Sequence, residues 1–220
     1  MSGMIAHWGV NSLDANSNQR PIAFLDRDGV INIGRSGYVN EPSEVELLPG
    51  AANAIAALRD ADYLVCVVTN QSAISRGLWG SGRLEMIHKE LQRQLGVEDE
   101  QARIDLFLTC PHRYEDGCGC RKPSPEMLNL GHQLLRENNA TSLILFDSDF
   151  LPASNLRVNW WGEKKIPFHS LDLMVGDRRS DMGAGWAYGA RLFRVRADAG
   201  INSILSRLLD LNDSGDSFSP

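Results

Sequence analysis

The sequence predicts an α/β protein in which helices cover both faces of a mainly parallel sheet. Short apolar runs alternate with longer segments whose apolar residues recur at helical spacing, and the chain contains no internal repeat. The first apolar run covers residues 21–25 and the second covers residues 63–68, with a helical pattern over residues 49–61 between them. This βαβ order predicts a Rossmann-like architecture of three layers.

The same alternation continues to the end of the chain. Further strands are predicted over residues 104–108, 171–175 and 192–195, and further helices over residues 81–96, 124–138 and 182–188. In open sheets of this kind, ligands bind beyond the carboxyl ends of the strands. The segments that follow the strands are therefore the candidate functional segments.

Length and charge exclude several classes of protein. The chain has 220 residues, 43% of them hydrophobic, and no apolar run approaches the roughly 20 residues that cross a bilayer. Its formal charge of −6 provides no general attraction to nucleic acid or to an anionic membrane. Because the first Lys or Arg is Arg20, the start of the chain lacks the charged region of a secretory signal. We expect a cytoplasmic protein with no membrane or nucleic-acid partner.

The predicted organisation is one domain over residues 21–211. Residues 1–20 are expected to form an N-terminal segment outside it, and the polar residues 212–220 a disordered tail.

An insertion over residues 140–170 interrupts the domain, because about 30 residues exceed a simple connection. Its apolar residues 143–146 could add a strand. Trp160 and Trp161 could pack on the sheet, stack on a sugar or line a contact between subunits. We expect a monomer, with a dimer through this insertion as the alternative.

Two carboxylates follow the first predicted strand directly. Asp26 and Asp28 lie two positions apart, so in extended chain their side chains point to the same side. Beside a divalent cation, one such carboxylate can attack while the other transfers protons. A surface turn is the alternative, since Asp and Gly29 are common in turns.

Two further segments suit the binding of phosphate. Residues 69–72 bring a hydroxyl and amide groups to the end of the second strand, although such residues also form ordinary turns. Arg121 and Lys122 precede Pro123 at a predicted helix N-terminus, where the helix dipole disfavours cations. A bound phosphate would compensate them; a solvated basic pair is the alternative.

The segment after the strand at residues 171–175 carries acidic residues at the start of a helix. Asp177 is placed as an oxygen ligand for Mg²⁺. Asp181 could bind the ion through water or cap the helix, and a simple N-capped helix start is the alternative.

Three of the four cysteines and one histidine form a compact group. Cys110, His112, Cys118 and Cys120 match the ligand set of a closed tetrahedral zinc site, for which we expect a structural role. A redox thiol cluster or chance are the alternatives. Cys66 is expected in the core. The other four histidines follow no ligand pattern and are expected at the surface or in packing: His7, His88, His132 and His169.

Residues 24 to about 196 resemble the haloacid dehalogenase (HAD) superfamily of phosphatases, and within it the branch with a zinc-binding loop. The resemblance is carried by four ordered motifs together with the zinc ligands. These motifs are residues 26–30, residues 68–72, the loop over residues 110–122, and Gly176 and Asp177 with Asp181.

The resemblance implies a three-layer Rossmann-like HAD fold without a large cap and a Mg²⁺-dependent phosphoric monoester hydrolase. Asp26 would attack phosphorus and form an aspartyl-phosphate, and Asp28 would act as acid and base. Mg²⁺ would be held by Asp26, the backbone carbonyl of Asp28, and Asp177. The transferring phosphoryl group would be bound by Thr69, Asn70, Arg121 and Lys122. We expect Lys122→Ala to lower turnover with little loss of fold.

The resemblance also narrows the substrate to a small phosphorylated sugar of carbohydrate metabolism. Residues 69–77 and 37–39 are similar to those of members that act on a heptose bisphosphate. Histidinol phosphate or another small metabolite is the alternative on the same chemistry. A binding protein that retains the fold without catalysis is an alternative of another class, whereas net acidity disfavours a polynucleotide phosphatase.

Overall fold

The sheet is the centre of the computed structural model, which describes residues 3–10, 17–136, 150–152 and 164–220. Seven strands within these residues are ordered β5-β1-β4-β3-β2-β6-β7. They are β1 (Gly3–Trp8), β2 (Ile22–Leu25), β3 (Leu64–Asn70), β4 (Leu106–Cys110), β5 (Phe150–Pro152), β6 (Leu173–Gly176) and β7 (Arg191–Arg194). Strands β4, β3, β2, β6 and β7 are parallel, while β1 runs antiparallel to both of its neighbours.

Helices cover both faces of the sheet. They are α1 (Ala51–Asp60), α2 (Ser81–Glu98), α3 (Glu126–Arg136), α4 (Arg179–Tyr188) and the short α5 (Leu205–Leu209). Leu25 joins one apolar core with residues of α1 and α2, and Phe24 joins a second core with residues of α3 and α4. Because neighbouring strand residues point to opposite faces, each strand contributes to both cores. The predicted three-layer α/β fold is therefore confirmed.

The predicted helices and strands of the domain all form, with ends shifted by a few residues. None of the helices in the described ranges is long and apolar enough to span a bilayer.

Residues 3–8 of the N-terminal segment, which was predicted to lie outside the domain, are instead part of the sheet. Strand β1 pairs with β4 through Ile5 and Thr109, and its residues are almost all buried. The run Gly3–Trp8 is apolar and carries no acidic or basic residue other than His7. It therefore covers an edge of β4 that would otherwise expose unpaired backbone groups.

The C-terminal residues, predicted to be disordered, pack on the domain. Gly215 forms a parallel bridge with Leu192 of β7, and Arg207 pairs with Asp213 and Asp216 at 2.8 and 2.9 Å. Phe218 lies beside Trp186, with ring centroids 6.4 Å apart. The polar composition predicted disorder, but ion pairs and a backbone bridge hold this segment against the domain.

Part of the insertion is described. Strand β5 pairs antiparallel with β1 and extends the sheet at this edge. Residues 143–146, Trp160 and Trp161, about which the sequence left alternatives open, lie outside the described residues.

Candidate active site

The predicted site residues meet at the carboxyl ends of the parallel strands. Asp26 follows β2, Thr69 lies near the end of β3, and Asp177 follows β6. The loop after β4 supplies Lys122. All but Asp177 line a small cavity of about 70 Å³, whose full lining is Asp26, Asp28, Gly34, Arg35, Gly37, Tyr38, Thr69, Asn70, Gln71, Lys122, Arg178, Ser180 and Asp181.

Lys122 is the buried cation of this cavity. Its Nζ lies 3.0 Å from a carboxylate oxygen of Asp26 and 2.7 Å from one of Asp181, and it donates to the carbonyl of Val68 at 2.7 Å. The side chain is only 1% exposed. Burial alone would lower the pKa of Lys122, but Asp181 and Asp26 overcome it and raise that pKa. The ammonium is therefore held in its charged form.

Asp26 is buried where the charge of a carboxylate is costly. Burial, with a smaller contribution from the negative charge of Asp181, raises the pKa of Asp26 to about 6, against the opposing effect of Lys122. One oxygen also accepts the backbone N–H of Arg27 at 2.8 Å. A divalent cation beside this carboxylate would favour its ionised form.

The negative charge and the oxygen atoms of the neighbouring carboxylates suit a divalent cation. Carboxylate oxygens of Asp26, Asp177 and Asp181 lie within 4.8 Å of one another. Oδ1 of Asp177 is buried and accepts no hydrogen bond in the described structure. Three carboxylates and the single ammonium of Lys122 leave a formal charge of −2, and oxygen ligands are those that Mg²⁺ prefers. The chemistry of this donor set fits Mg²⁺.

Two glycines allow the loops that carry the acidic residues to lie close to each other. Gly29 has a φ of +82°, and a Cβ there would lie 3.0 Å from Oδ2 of Asp177. A Cβ on Gly176 would lie 2.1 Å from the Cβ of Asp181, which is too close for any side chain. Both positions therefore require glycine.

The carboxylate of Asp28 lies outside this acidic group, and the predicted Mg²⁺ ligand was the backbone carbonyl of Asp28. Arg27 donates to it from Nε at 3.1 Å and from Nη2 at 2.9 Å. Asn32 and Gln71 each donate at 2.9 Å. Burial alone would raise the pKa of Asp28, but the charge of Arg27 and these hydrogen bonds lower it. Any role of Asp28 toward the metal is left to its backbone carbonyl, as the resemblance implies.

The predicted phosphate-binding residues have different surroundings. Asn70 and Lys122 exchange two hydrogen bonds of 3.1 Å, which fix the loop to the end of β3. Thr69 is buried and accepts a hydrogen bond from Gln71 at 3.0 Å. The guanidinium of Arg121 donates to the carbonyl of His112 at 2.9 Å, and Arg121 does not line the cavity. Three of the four residues therefore face the cavity, and Arg121 is held by the adjacent loop.

The four predicted zinc ligands converge in that loop. The sulfur atoms of Cys110, Cys118 and Cys120 lie 3.3 to 3.6 Å apart, and Nδ1 of His112 lies 3.3 Å from the sulfur of Cys120. All four donor atoms lie within 4.8 Å of one another. Three sulfur atoms and one imidazole nitrogen at this spacing fit a tetrahedral zinc ion.

Several residues of the site were not assigned a role from the sequence. Arg27 and Gln71 orient Asp28, and Arg178 and Ser180 line the cavity. Of the three residues that donate to Asp28, Arg27 and Gln71 lie inside the motifs at residues 26–30 and 68–72, and Asn32 lies two residues after the first motif. Their position next to the acidic and hydroxyl residues was therefore a usable signal, but it did not show which way each side chain points.

The curated relatives of this chain are bacterial phosphatases. A D-glycero-beta-D-manno-heptose-1,7-bisphosphate 7-phosphatase of Pseudomonas aeruginosa is 43% identical over 109 residues, which are 50% of this chain and 60% of that protein. The enzyme of Mycobacterium tuberculosis that acts on the alpha anomer is 44% identical over 48% of the chain and 55% of its own length. Over the matched region the chain spans about 60% of the first of these relatives.

A longer match decides the family. The Vibrio cholerae heptose-1,7-bisphosphate 7-phosphatase is 34% identical over 135 residues, which cover 58% of this chain and 71% of that enzyme. The chain belongs to the HAD-like phosphatases. No protein-family profile matches it.

Solved structures of HAD-like phosphatases match over most of the chain. A D,D-heptose 1,7-bisphosphate phosphatase from Bordetella bronchiseptica, complexed with magnesium and phosphate, has a TM-score of 0.60 at 28% identity and covers 89% of this chain. The match covers 90% of that structure. A protein from Mesorhizobium loti described as a HAD-like phosphatase has a TM-score of 0.68 at 26% identity, covering 99% and 97% of the two chains.

Proposed function

We propose that this chain is a Mg²⁺-dependent phosphatase of a phosphorylated sugar, with a heptose 1,7-bisphosphate as its substrate and the 7-phosphate as the group removed. The observation that carries the proposal is the convergence of Asp26, Asp177 and Asp181 with Lys122 beside one cavity. The named relatives and the magnesium and phosphate complex of the Bordetella enzyme support the substrate and the metal.

Asp26 is the proposed nucleophile. Its carboxylate oxygen forms a bond to phosphorus as the ester P–O bond breaks, and the sugar hydroxyl leaves with a proton from Asp28. Water then attacks phosphorus, Asp28 takes its proton, and the bond between Asp26 and phosphorus breaks. Asp26 suits this role because it is buried at a strand end and is held in place by Lys122 and a backbone N–H.

Asp28 must hold a proton for the first step and release one for the second. In the free protein Arg27, Asn32 and Gln71 favour its ionised form. A phosphate dianion in the cavity adds negative charge beside Asp28 and increases its proton affinity. Bound substrate therefore favours the protonated form of Asp28, and departure of the leaving group favours its ionised form.

Charge stabilisation is expected to dominate the rate, because phosphoryl transfer spreads negative charge over three oxygens. Lys122 lies beside the nucleophile and provides a cation that is already desolvated. Asn70 orients the backbone that carries Lys122. Mg²⁺, which Asp26, Asp177 and the carbonyl of Asp28 would hold with Asp181 close by, supplies further positive charge to the phosphoryl oxygens.

The zinc loop has a proposed structural role. Its four ligands leave no open coordination position, and Arg121 and Lys122 follow Cys120 directly. A zinc ion bound there would fix the segment that brings the ammonium of Lys122 to Asp26.

The cytoplasmic location and the monomeric state stay predictions, whereas the sequence makes no prediction of the anomer. The relatives include enzymes named for the beta anomer and for the alpha anomer.

A panel assay tests the proposed function. Phosphate release is measured with Mg²⁺ from both anomers of heptose 1,7-bisphosphate, from histidinol phosphate and from a 5′-phosphorylated oligonucleotide, with Asp26→Asn as the control. We expect kcat/KM for one heptose anomer to exceed that for histidinol phosphate by at least about tenfold. Faster hydrolysis of histidinol phosphate would contradict the substrate, and a protein inactive on every ester would favour the binding-protein alternative.

A further inference from the structure

The cavity beside Asp26 is smaller than the substrate proposed above. Its volume of about 70 Å³ lies well below the roughly 300–1,000 Å³ of pockets that enclose drug-sized ligands. A transferring phosphoryl group is small, whereas a heptose with a second phosphate exceeds this space. The rest of such a substrate must therefore lie at the rim of the cavity, against exposed residues.

One side of this rim is a short loop that follows the Asp28 motif. Its residues 34–37 are exposed, and three of them line the cavity. Ile33, just before them, donates its backbone N–H to the carbonyl of Glu46 at 2.8 Å. Just after them, the hydroxyl groups of Tyr38 and Ser72 are hydrogen-bonded at 2.8 Å. The loop is therefore held on both sides of its exposed residues.

Arg35 is the basic residue of this loop. Its Nε and Nη2 donate to the backbone carbonyl of Glu44 at 3.1 and 3.0 Å. The carboxylate of Glu44 is engaged elsewhere, where it accepts the backbone N–H of Asn40 at 2.7 Å. Within the described part of the chain Nη1 of Arg35 makes no hydrogen bond. A restrained guanidinium with free N–H groups loses little conformational freedom when it binds a ligand.

The cations that line the cavity differ in their carboxylate partners. Lys122 is paired with two buried carboxylates, and Nε of Arg178 lies 3.8 Å from Oδ2 of Asp177. Arg35 lines the same cavity but forms no ion pair with any residue that the structure describes. Its positive charge is therefore available to a negative group of the ligand.

A second phosphate is the group that suits Arg35. The transferring phosphoryl group lies inside the cavity in the proposed reaction, beside Asp26 and the buried ammonium of Lys122. Arg35 is exposed at the rim, where the other end of the substrate must lie. Hydrogen bonds from a guanidinium to a phosphate are roughly twice as strong as those between neutral groups, so a phosphate is favoured over a sugar hydroxyl.

We propose that Arg35 is a specificity-determining residue that binds the phosphate that is not transferred, which in a heptose 1,7-bisphosphate is the 1-phosphate. The contact favours substrates with two phosphates over those with one. This role deepens the proposed function and rests on it, because the second phosphate reaches the rim only when the first one lies beside Asp26.

Two substrates that differ only in that phosphate test the proposal. We measure kcat/KM with Mg²⁺ for heptose 1,7-bisphosphate and for heptose 7-phosphate, in the wild type and in Arg35→Met. The wild type should prefer the bisphosphate. We expect the ratio of the two kcat/KM values to fall by about tenfold in Arg35→Met, because the remote phosphate loses a charged hydrogen-bond donor.

Arg103→Met is the matched control, because Arg103 is also exposed and lies outside the residues that line the cavity. It should keep the ratio of the wild type. Thermal unfolding checks that both variants fold, as expected for exposed positions. An unchanged ratio in Arg35→Met, including an equal loss with both substrates, would overturn the proposal, because Arg35 would then not distinguish the second phosphate.

Binding is measured apart from turnover, so that the two proposals can fail independently. Asp26→Asn is titrated calorimetrically with the same two sugars and Mg²⁺, with and without Arg35→Met. We expect the bisphosphate to bind about tenfold more tightly than the monophosphate, and Arg35→Met to remove this difference. If the wild type hydrolysed neither sugar, the proposed function would fail. If Asp26→Asn had no greater affinity for the bisphosphate, the role of Arg35 would be overturned.

Discussion

At the scale of single residues, the burial of Lys122 changes what its substitution is expected to do. The sequence suggested that its loss would lower turnover alone. The structure places its ammonium between Asp26 and Asp181, with a side chain that is 1% exposed. Removing the cation leaves two buried carboxylates facing each other, so stability as well as turnover depends on Lys122.

Lys122→Met is therefore expected to cost about 3 kcal/mol of unfolding free energy, because it leaves buried charges unpaired. It should also lower kcat by about 100-fold, because the reacting group loses a desolvated cation. Urea unfolding and phosphate release measure the two effects. The exposed Lys164→Met is the matched control. A Lys122→Met protein as stable as the control would contradict the buried contact.

His7 and His88, two buried histidines whose Nδ1 atoms lie 3.1 Å apart, predict that stability falls in acid. Burial lowers the pKa of His88 well below its usual 6.5. Below pH 6.5, His88 binds a proton in the unfolded chain but not in the folded chain. The free energy of unfolding therefore falls as the pH falls. The expected slope is up to about 1.4 kcal/mol per pH unit for His88.

Urea unfolding between pH 7.5 and about 5 measures this slope, since unfolded histidine titrates within that range. His88→Gln, which cannot titrate, should show a shallower slope than the wild type. Identical slopes in the two proteins would mean that His88 takes up its proton without unfolding.

At the scale of elements, the loop that follows β4 joins the proposed zinc site to Lys122. Cys118 and its three partner ligands lie in the segment that ends at Lys122. Cys118→Ser should release zinc, since a tetrahedral site loses one of its thiolates, and should lower both kcat and stability. Zinc content, phosphate release and thermal unfolding measure these changes. Cys66→Ala, outside the loop, should keep its zinc.

Strand β1 predicts a further element-scale effect. Ile5 is fully buried and packs with Ile74, Trp79 and Leu84, which lie after β3 and on α2. Ile5→Ala should therefore cost about 2 to 4 kcal/mol in urea unfolding. Ile166→Ala, at a residue 93% exposed, should cost little. An equally small loss of unfolding free energy in both variants would show that the N-terminal strand does not belong to the core.

The central strands were predicted from the sequence, whereas the segments that pair with the outer strands of the sheet were not. Alternating apolar runs identified β2, β3, β4 and β6, because buried parallel strands are nearly continuous apolar runs. Residues 3–8 and 212–220 were wrongly predicted, because their packing depends on partners far along the chain, such as Thr109 for Ile5 and Leu192 for Gly215. Pairing at an edge of a sheet leaves little periodicity in a short segment.

Some residues of the candidate site were likewise predicted from the sequence, and others were not. Asp26, Lys122 and Asp177 were found from the sequence because each follows an identifiable strand or precedes a helix. The roles of Arg27 and Gln71 were not, because they depend on which way a side chain turns within a motif.

At the scale of the whole molecule, five parallel strands bring distant segments to one edge of the sheet. Asp26 and Asp177 are far apart in sequence, and β2 and β6 are neighbours in the sheet. Their carboxylates therefore meet without long loops. We propose that this junction makes Asp26 a nucleophile toward phosphorus.

Covalent trapping tests whether Asp26 is the nucleophile. With an aryl phosphate, whose leaving group needs no acid, Asp28→Asn should still be phosphorylated but should hydrolyse the aspartyl-phosphate slowly, because it lacks the base for water. Rapid quenching in the presence of Mg²⁺, followed by peptide mass spectrometry, locates the phosphoryl group. We predict it on Asp26 in Asp28→Asn and on no residue in the double variant that also carries Asp26→Asn. Phosphate release without any phosphorylated Asp26, or a phosphoryl group on another residue, would contradict the account.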